Sequence, residues 1–143
     1  MALLEDAKGQ RGQRIQRIQR EKDITEKGHR KLLVWQRAHV FVLDVYRVTS
    51  GFPKEESFGL VSQLRRAAVS IQANIAEGQA RNTKSQYLQF LNVSNASLAE
   101  TEYYLELSKD LGYLPSDSYE ELENQRKEIG FLLHQLISAL RKV

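Results

Sequence analysis

Residues 60–78 read Leu60-Val61-Ser62-Gln63-Leu64-Arg65-Arg66-Ala67-Ala68-Val69-Ser70-Ile71-Gln72-Ala73-Asn74-Ile75-Ala76-Glu77-Gly78. Leu60, Leu64, Ala67, Ala68, Ile71 and Ile75 recur at three- and four-residue spacing, which places them on one stripe of an α-helix. Among them Ala67, Ala68, Ser70, Ala73 and Ala76 are small enough to admit a neighbouring helix closely. The stretch holds no obvious catalytic group. It is a packing helix, and the fold class it points to is all-α.

The flanks repeat the pattern. Upstream, Val34, Ala38, Phe41 or Val42, Val45 and Val48 make an apolar stripe that predicts a helix over 32–49. That helix should end at Thr49-Ser50-Gly51-Phe52-Pro53, with Gly51 free to take a left-handed cap. Ser57 is expected to cap the central helix, which runs on to about Gly78–Ala80. Thr83-Lys84-Ser85-Gln86 has the capping-box pattern for a third helix over about 84–111, with Leu88, Leu91, Leu98 and Leu105 on one face. Leu111-Gly112-Tyr113-Leu114-Pro115 then breaks the chain. Asp117 with Glu120 offers a cap for a fourth helix reaching about Leu140, with Leu122, Ile129, Leu133, Leu136 and Leu140 in its stripe. Asp117, Glu120, Glu121 and Glu123 crowd its start and Arg141 and Lys142 its end, which complements the helix dipole. Four long helices with short connections predict an antiparallel up-down-up-down four-helix bundle over 31–143.

Composition sets the class. The chain has 143 residues, 41% hydrophobic and 27% charged, as expected of one soluble domain with a real core. It has no cysteine, so neither a disulfide framework nor thiolate chemistry is available. The opening Met1-Ala2-Leu3-Leu4-Glu5-Asp6 lacks the features of a secretory signal, and no apolar run is long enough to span a membrane. A cytoplasmic location away from membranes is expected.

Charge is uneven. Residues 1–30 carry 8 Lys/Arg against 5 Asp/Glu, a net of +3, while residues 31–143 carry 13 of each. Within the leader, Arg11, Arg14, Arg17 and Arg20 recur every third residue. On a helix they would spread over about half the circumference. Two readings stand for residues 1–30: a solvated, flexible leader, or a basic arm that lies along a phosphate backbone and gains from counterion release.

No catalytic constellation emerges. His29, His39 and His134 sit in different segments without a second ligand at helical spacing, and the Glu-x-x-His pair of bundle metal sites is absent. There is no phosphate loop, zinc pattern or nucleophile elbow. The expectation is a non-enzyme without metal or cofactor. Trp35, the only tryptophan, is read as a core or interface anchor, with a base-stacking platform as the alternative. Tyr87, Phe90 and Tyr104 widen the apolar surface of the third helix and read as a subunit interface; otherwise Tyr103 and Tyr104 rim the core. Arg65 and Arg66 lie about 100° apart on the helix, so at least one must reach a surface or seam. They either join a ring of guanidinium groups in a cyclic oligomer or pair with carboxylates on a neighbouring helix. Glu77 and Arg81 are spaced for a surface ion pair, and Asn74 is expected to bond a neighbouring helix.

Several of these pieces carry a resemblance. Gln63-Leu64-Arg65-Arg66-Ala67-Ala68-Val69-Ser70-Ile71 followed by Asn74-Ile75-Ala76-Glu77-Gly78 resembles the signature of the bacterial four helix bundle proteins, also called S23 or 23S rRNA intervening-sequence proteins. Val34-Trp35-Gln36-Arg37-Ala38, Val45-Tyr46 with Thr49, Phe52-Pro53, Leu98-Ala99-Glu100-Thr101-Glu102 and Leu111-Gly112-Tyr113-Leu114 agree in order, so the likeness covers roughly residues 31–141. It departs at Gln72, where many relatives carry proline and a kinked helix. The resemblance implies a bundle that assembles into a homopentamer, in a bacterium, with the gene in a 23S rRNA intervening sequence. The fold is also similar to accessory proteins that bind a reverse transcriptase and nucleic acid.

The function expected is a non-enzymatic oligomer that binds RNA or other nucleic acid through Arg65, Arg66, Arg81 and Lys84, with Arg11, Arg14, Arg17 and Arg20 adding reach. Symmetry would multiply a weak site by effective concentration. The alternative is a protein-interaction scaffold. The nucleic-acid reading requires a clustered basic face, which a neutral bundle does not advertise.

Overall fold

A computed structural model describes residues 7–14 and 28–142, and all their regular structure is helical. Four long helices follow in order: α1 (Leu33–Thr49), α2 (Leu60–Gln79), α3 (Lys84–Asp110) and α4 (Ser116–Arg141). Short 3-10 turns occupy Gly28–Lys31 and Lys54–Glu56. Residues 7–14 are helical and exposed throughout.

The helices touch in the order α1–α2–α3–α4 and back to α1, and the turn at Gly28–Lys31 packs on α1 and α2. The stripes expected from periodicity meet at the centre: Phe41 and Val45 of α1, Leu64, Ile71 and Ile75 of α2, Leu91 and Leu105 of α3, and Ile129 and Leu133 of α4 have no solvent exposure. α2 runs unbroken through Gln72.

The α2/α3 seam is the most extensive, and small residues explain why. Ala67, Ala68 and Gly78 of α2 and Ser94, Ser97 and Thr101 of α3 are buried, so the two backbones approach closely. A Cβ on Gly78 would stand 2.8 Å from Tyr87 Cδ2 and 2.9 Å from Phe90 Cβ. The buried hydroxyls are satisfied: Ser94 donates across the seam to the Ile71 carbonyl of α2, while Thr101 and Ser108 donate within α3 to the carbonyls of Leu98 and Tyr104. Ala73, grouped with the packing residues on sequence, faces solvent instead.

The helix ends differ from expectation in instructive ways. Thr83 caps α3 as its box predicts, accepting from the Gln86 N–H at 3.2 Å. Ser57 does not cap α2. The 3-10 turn delays that helix to Leu60, whose N–H bonds the Glu56 carboxylate at 3.2 Å. Asp117 does not cap α4 either, because the helix already begins at Ser116; Asp117 accepts from Ser118 N–H at 2.9 Å and stays in the first turn, where negative charge is favoured. Gly51 does not use a left-handed cap; the positive φ among the described residues is that of Gly112, at 79°. There α3 closes with Gly112 N–H on Lys109 O and Tyr113 N–H on Ser108 O, both 2.9 Å, a Schellman pairing.

Glu123, one of the acidic residues at the start of α4, is buried. Its carboxylate takes two hydrogen bonds from Arg126, at 3.0 Å and 2.8 Å, and Arg126 reaches Glu102 of α3 at 3.5 Å. The Glu123 hydrogen bonds hold the Arg126 guanidinium above its ordinary pKa, although burial acts in the opposite sense.

Candidate nucleic-acid interface

Dividing the charge at the start of α3 changes its meaning. Residues 31–83 hold 7 Lys/Arg against 4 Asp/Glu, a net of +3; residues 84–143 hold 6 against 9, a net of −3. The neutral total of 31–143 hides a basic half carrying α1 and α2 and an acidic half carrying α3 and α4, which a count split at the α2–α3 connection finds in the sequence.

A groove follows the basic seam. Three open cavities of about 480, 520 and 450 Å³ neighbour one another along it, the first two sharing His29 and Ala76 and the last two sharing Val69. Arg81 lies at one end, Arg30 and His39 in the middle, and Arg65, Arg66 and the fully exposed Phe58 at the other. Within it Trp35 stacks parallel to His39, with ring centroids 5.6 Å apart and 5° between planes. His29 tilts onto Trp35 at 5.1 Å. Two histidines ten residues apart thus flank the single tryptophan. Among the described residues no group of three or more candidate ligands could hold a metal.

The expected contact residues divide by role. Arg65 is half-buried against the end of α1: Nε donates to Thr49 Oγ1 at 2.8 Å, Nη2 to Tyr46 O at 3.3 Å, and its guanidinium lies 4.5 Å from the Tyr46 ring centroid. Its partners are hydroxyls, a carbonyl and a ring, rather than the carboxylates expected. Arg66 is exposed and donates to Gln63 Oε1 at 3.0 Å. It also lines a small cleft with Glu100 of α3. Arg81 pairs with Glu77 at 2.8 Å, as spacing predicts, and lies over the Phe90 ring at 4.6 Å. Lys84 is exposed at the first position of α3. Arg11 and Arg14 are exposed on the helical segment 7–14, whereas Arg17 and Arg20 fall outside the described residues. Arg30 joins the groove without having been singled out from the sequence.

A family model of the 23S rRNA-intervening sequence protein matches residues 30–135. The chain belongs to this family. The matched span includes Arg30, Arg65, Arg66, Arg81 and Lys84 and leaves out the arginine repeat of the leader. Among solved structures, the family fold is similar to the crystal structure of a protein of unknown function from the S23 ribosomal protein family of Bacteroides thetaiotaomicron. That likeness has a TM-score of 0.69 and 28% identity, over 74% of this chain and 96% of the other. No curated protein matches the sequence.

The expected interface aromatics also resolve by position. Trp35, Tyr87 and Tyr104 are partly buried against the chain's own core, and Phe90 is half-buried beneath Arg81. The large exposed apolar residues here are Val93 and Tyr103 of α3, at 47% and 59%, and Leu111 at its cap, at 49%. Asn74 bonds its own helix, at Ser70 O and Oγ, and reaches α3 only through Ser70.

Proposed function

We propose that this family member is a non-enzymatic, RNA-associated protein, built as an antiparallel up-down-up-down four-helix bundle that assembles into a cyclic homo-oligomer. The observation carrying the nucleic-acid part is the +3/−3 division of charge, with Arg30, Arg65, Arg66 and Arg81 lining the cavities along α1/α2, which supports the clustered basic face that such binding requires. The order of helix contacts and the short α2–α3 and α3–α4 connections support the bundle. Exposed apolar residues, among them Leu33, Val40 and Leu43 of α1 and Val93 and Tyr103 of α3, offer surface for such an assembly. Repetition of the basic side in a ring would raise affinity through effective concentration. No helix among the described residues is long and apolar enough to cross a membrane, which fits a cytoplasmic role.

The test is binding of the full chain to a structured RNA across a salt series, beside a full-length variant with Arg11, Arg14, Arg17 and Arg20 changed to glutamine. Binding by both with a steep salt slope supports a site on the helices. Loss in the variant moves the site to the leader. Absence of binding by either chain leaves a scaffold for a protein partner, such as a reverse transcriptase, as the better reading.

A further inference from the structure

We infer that the α1/α2 groove is a track for an unpaired RNA strand, with a base stacking on the exposed His39 end of the Trp35–His39 pair and phosphates held by Arg30, Arg66 and Arg81. This rests on the nucleic-acid reading above and deepens it by naming the site and the form of nucleic acid.

The geometry suits a single strand. From Trp35 to Tyr46 the groove follows α1 for roughly 16 Å, long enough for several nucleotides. Aromatic rings alternate with cations along it: Trp35 and His39 near Arg30, Tyr46 under Arg65, and Phe58 near Arg66. Single-strand sites combine these two elements, because every base offers a π-face and the backbone tracks positive charge. In a duplex the base faces are already stacked, so the rings would have nothing to receive.

The cations are available for exchange. Arg81 is held by Glu77, but that pair is 44% and 55% exposed, and such pairs contribute little. A phosphate can take the place of the carboxylate at small cost. Arg66 engages only a neutral amide. Glu77 is the carboxylate lining the groove, so the approach carries net positive charge.

Trp35 provides the local readout, since the chain has no other tryptophan. The full-length protein is titrated with a mixed-sequence RNA of about 12 nucleotides, single-stranded or annealed to its complement. Quenching of Trp35 emission that saturates together with binding is expected, with the single strand preferred. His39→Ala should weaken binding by about five-fold or more while helicity is unchanged, the scale of one lost stacking contact. Arg30→Gln and Arg81→Gln should each reduce the salt slope by about one, whereas Lys127→Gln on α4 should not. Binding without quenching and indifferent to His39→Ala, or a preference for the duplex, would overturn the track and leave the broader RNA reading intact. Failure of either RNA to bind would overturn both.

Discussion

Ser70 Oγ and Ser97 Oγ lie 2.7 Å apart across the α2/α3 seam, and Asn74 Nδ2 donates to Ser70 Oγ at 3.0 Å from one turn further along. The Ser70 oxygen has two lone pairs, so with Asn74 on one of them it can still either donate to Ser97 or accept from it. Ser97→Ala removes that partner and should cost about 1 kcal/mol. Ser97→Val adds bulk to a seam built for small residues and should cost about 1–3 kcal/mol. Urea midpoints of the two variants give the comparison, and a valine variant as stable as wild type would show that the seam is slack.

Gly78 makes the opposite demand on helix chemistry. Alanine is the better helix former by about 1 kcal/mol. The added methyl, however, would meet the Tyr87 ring at 2.8 Å and Phe90 Cβ at 2.9 Å, and the Phe90 atom is close to backbone and cannot swing away. Gly78→Ala should therefore destabilise despite its propensity, by about 1–2 kcal/mol net. Thermal unfolding measures the sign, and a gain in stability would mean that α3 yields.

Glu123 and Arg126 form a pair with side chains only 11% and 12% exposed. Glu123→Gln leaves the guanidinium facing Glu102 at 3.5 Å across the α3/α4 contact. The expected cost is about 3 kcal/mol, the lower end for a broken buried pair. Replacing both, as Glu123→Leu with Arg126→Met, should recover most of it, because the penalty comes from the stranded charge. Chemical denaturation of the single and double variants tests this.

Legibility from sequence follows what periodicity can encode. Leu64, Ile71 and Ile75 announce a buried face because their apolar spacing matches the helical turn, and each is fully buried. Ser94, Ser97, Thr101 and Ser108 are equally interior but polar, so no hydropathy pattern reveals them; only the carbonyl or hydroxyl that each meets makes burial tolerable. The ends of α2 and α4 depended on where a 3-10 turn and Pro115 let the helix begin, a choice that cap residues alone do not decide. The groove was least visible. Arg30 and His39 line one cavity and Arg81 the neighbouring one, an arrangement that depends on Gly28–Lys31 packing onto α1 and α2.

Tyr87 supplies a pH dependence. Burial raises its phenol above the ordinary 10.0, so the folded state favours the neutral form more than the unfolded chain does. The stability linked to this group is fully present below pH 10.0 and is lost as pH rises through the higher folded value. Tyr87→Phe should flatten the alkaline decline. Denaturant midpoints between neutral and strongly alkaline pH would show it, and parallel curves for variant and wild type would count against the assignment.

Adjacent arginines give the sharpest separation of roles. Arg65 joins α2 to the carboxyl end of α1: it bonds Thr49 Oγ1 and the Tyr46 carbonyl, places positive charge at a helix C-terminus and covers the Tyr46 ring. Arg65→Gln removes the charge, the fork and the ring contact together, and should cost about 1–2 kcal/mol of stability. Arg66, one residue on, is exposed and donates to Gln63, with Glu100 lining the same small cleft. Arg66→Gln should leave stability within about 0.5 kcal/mol of wild type. If the α1/α2 side holds phosphate, the same change should weaken RNA binding and reduce its salt slope by about one. Measuring unfolding and RNA affinity on both variants therefore separates a brace from a contact. An Arg66 variant that binds RNA unchanged at every salt concentration would remove this residue from the interface, while a stable Arg65 variant would show that Tyr46 and Thr49 hold the end of α1 unaided.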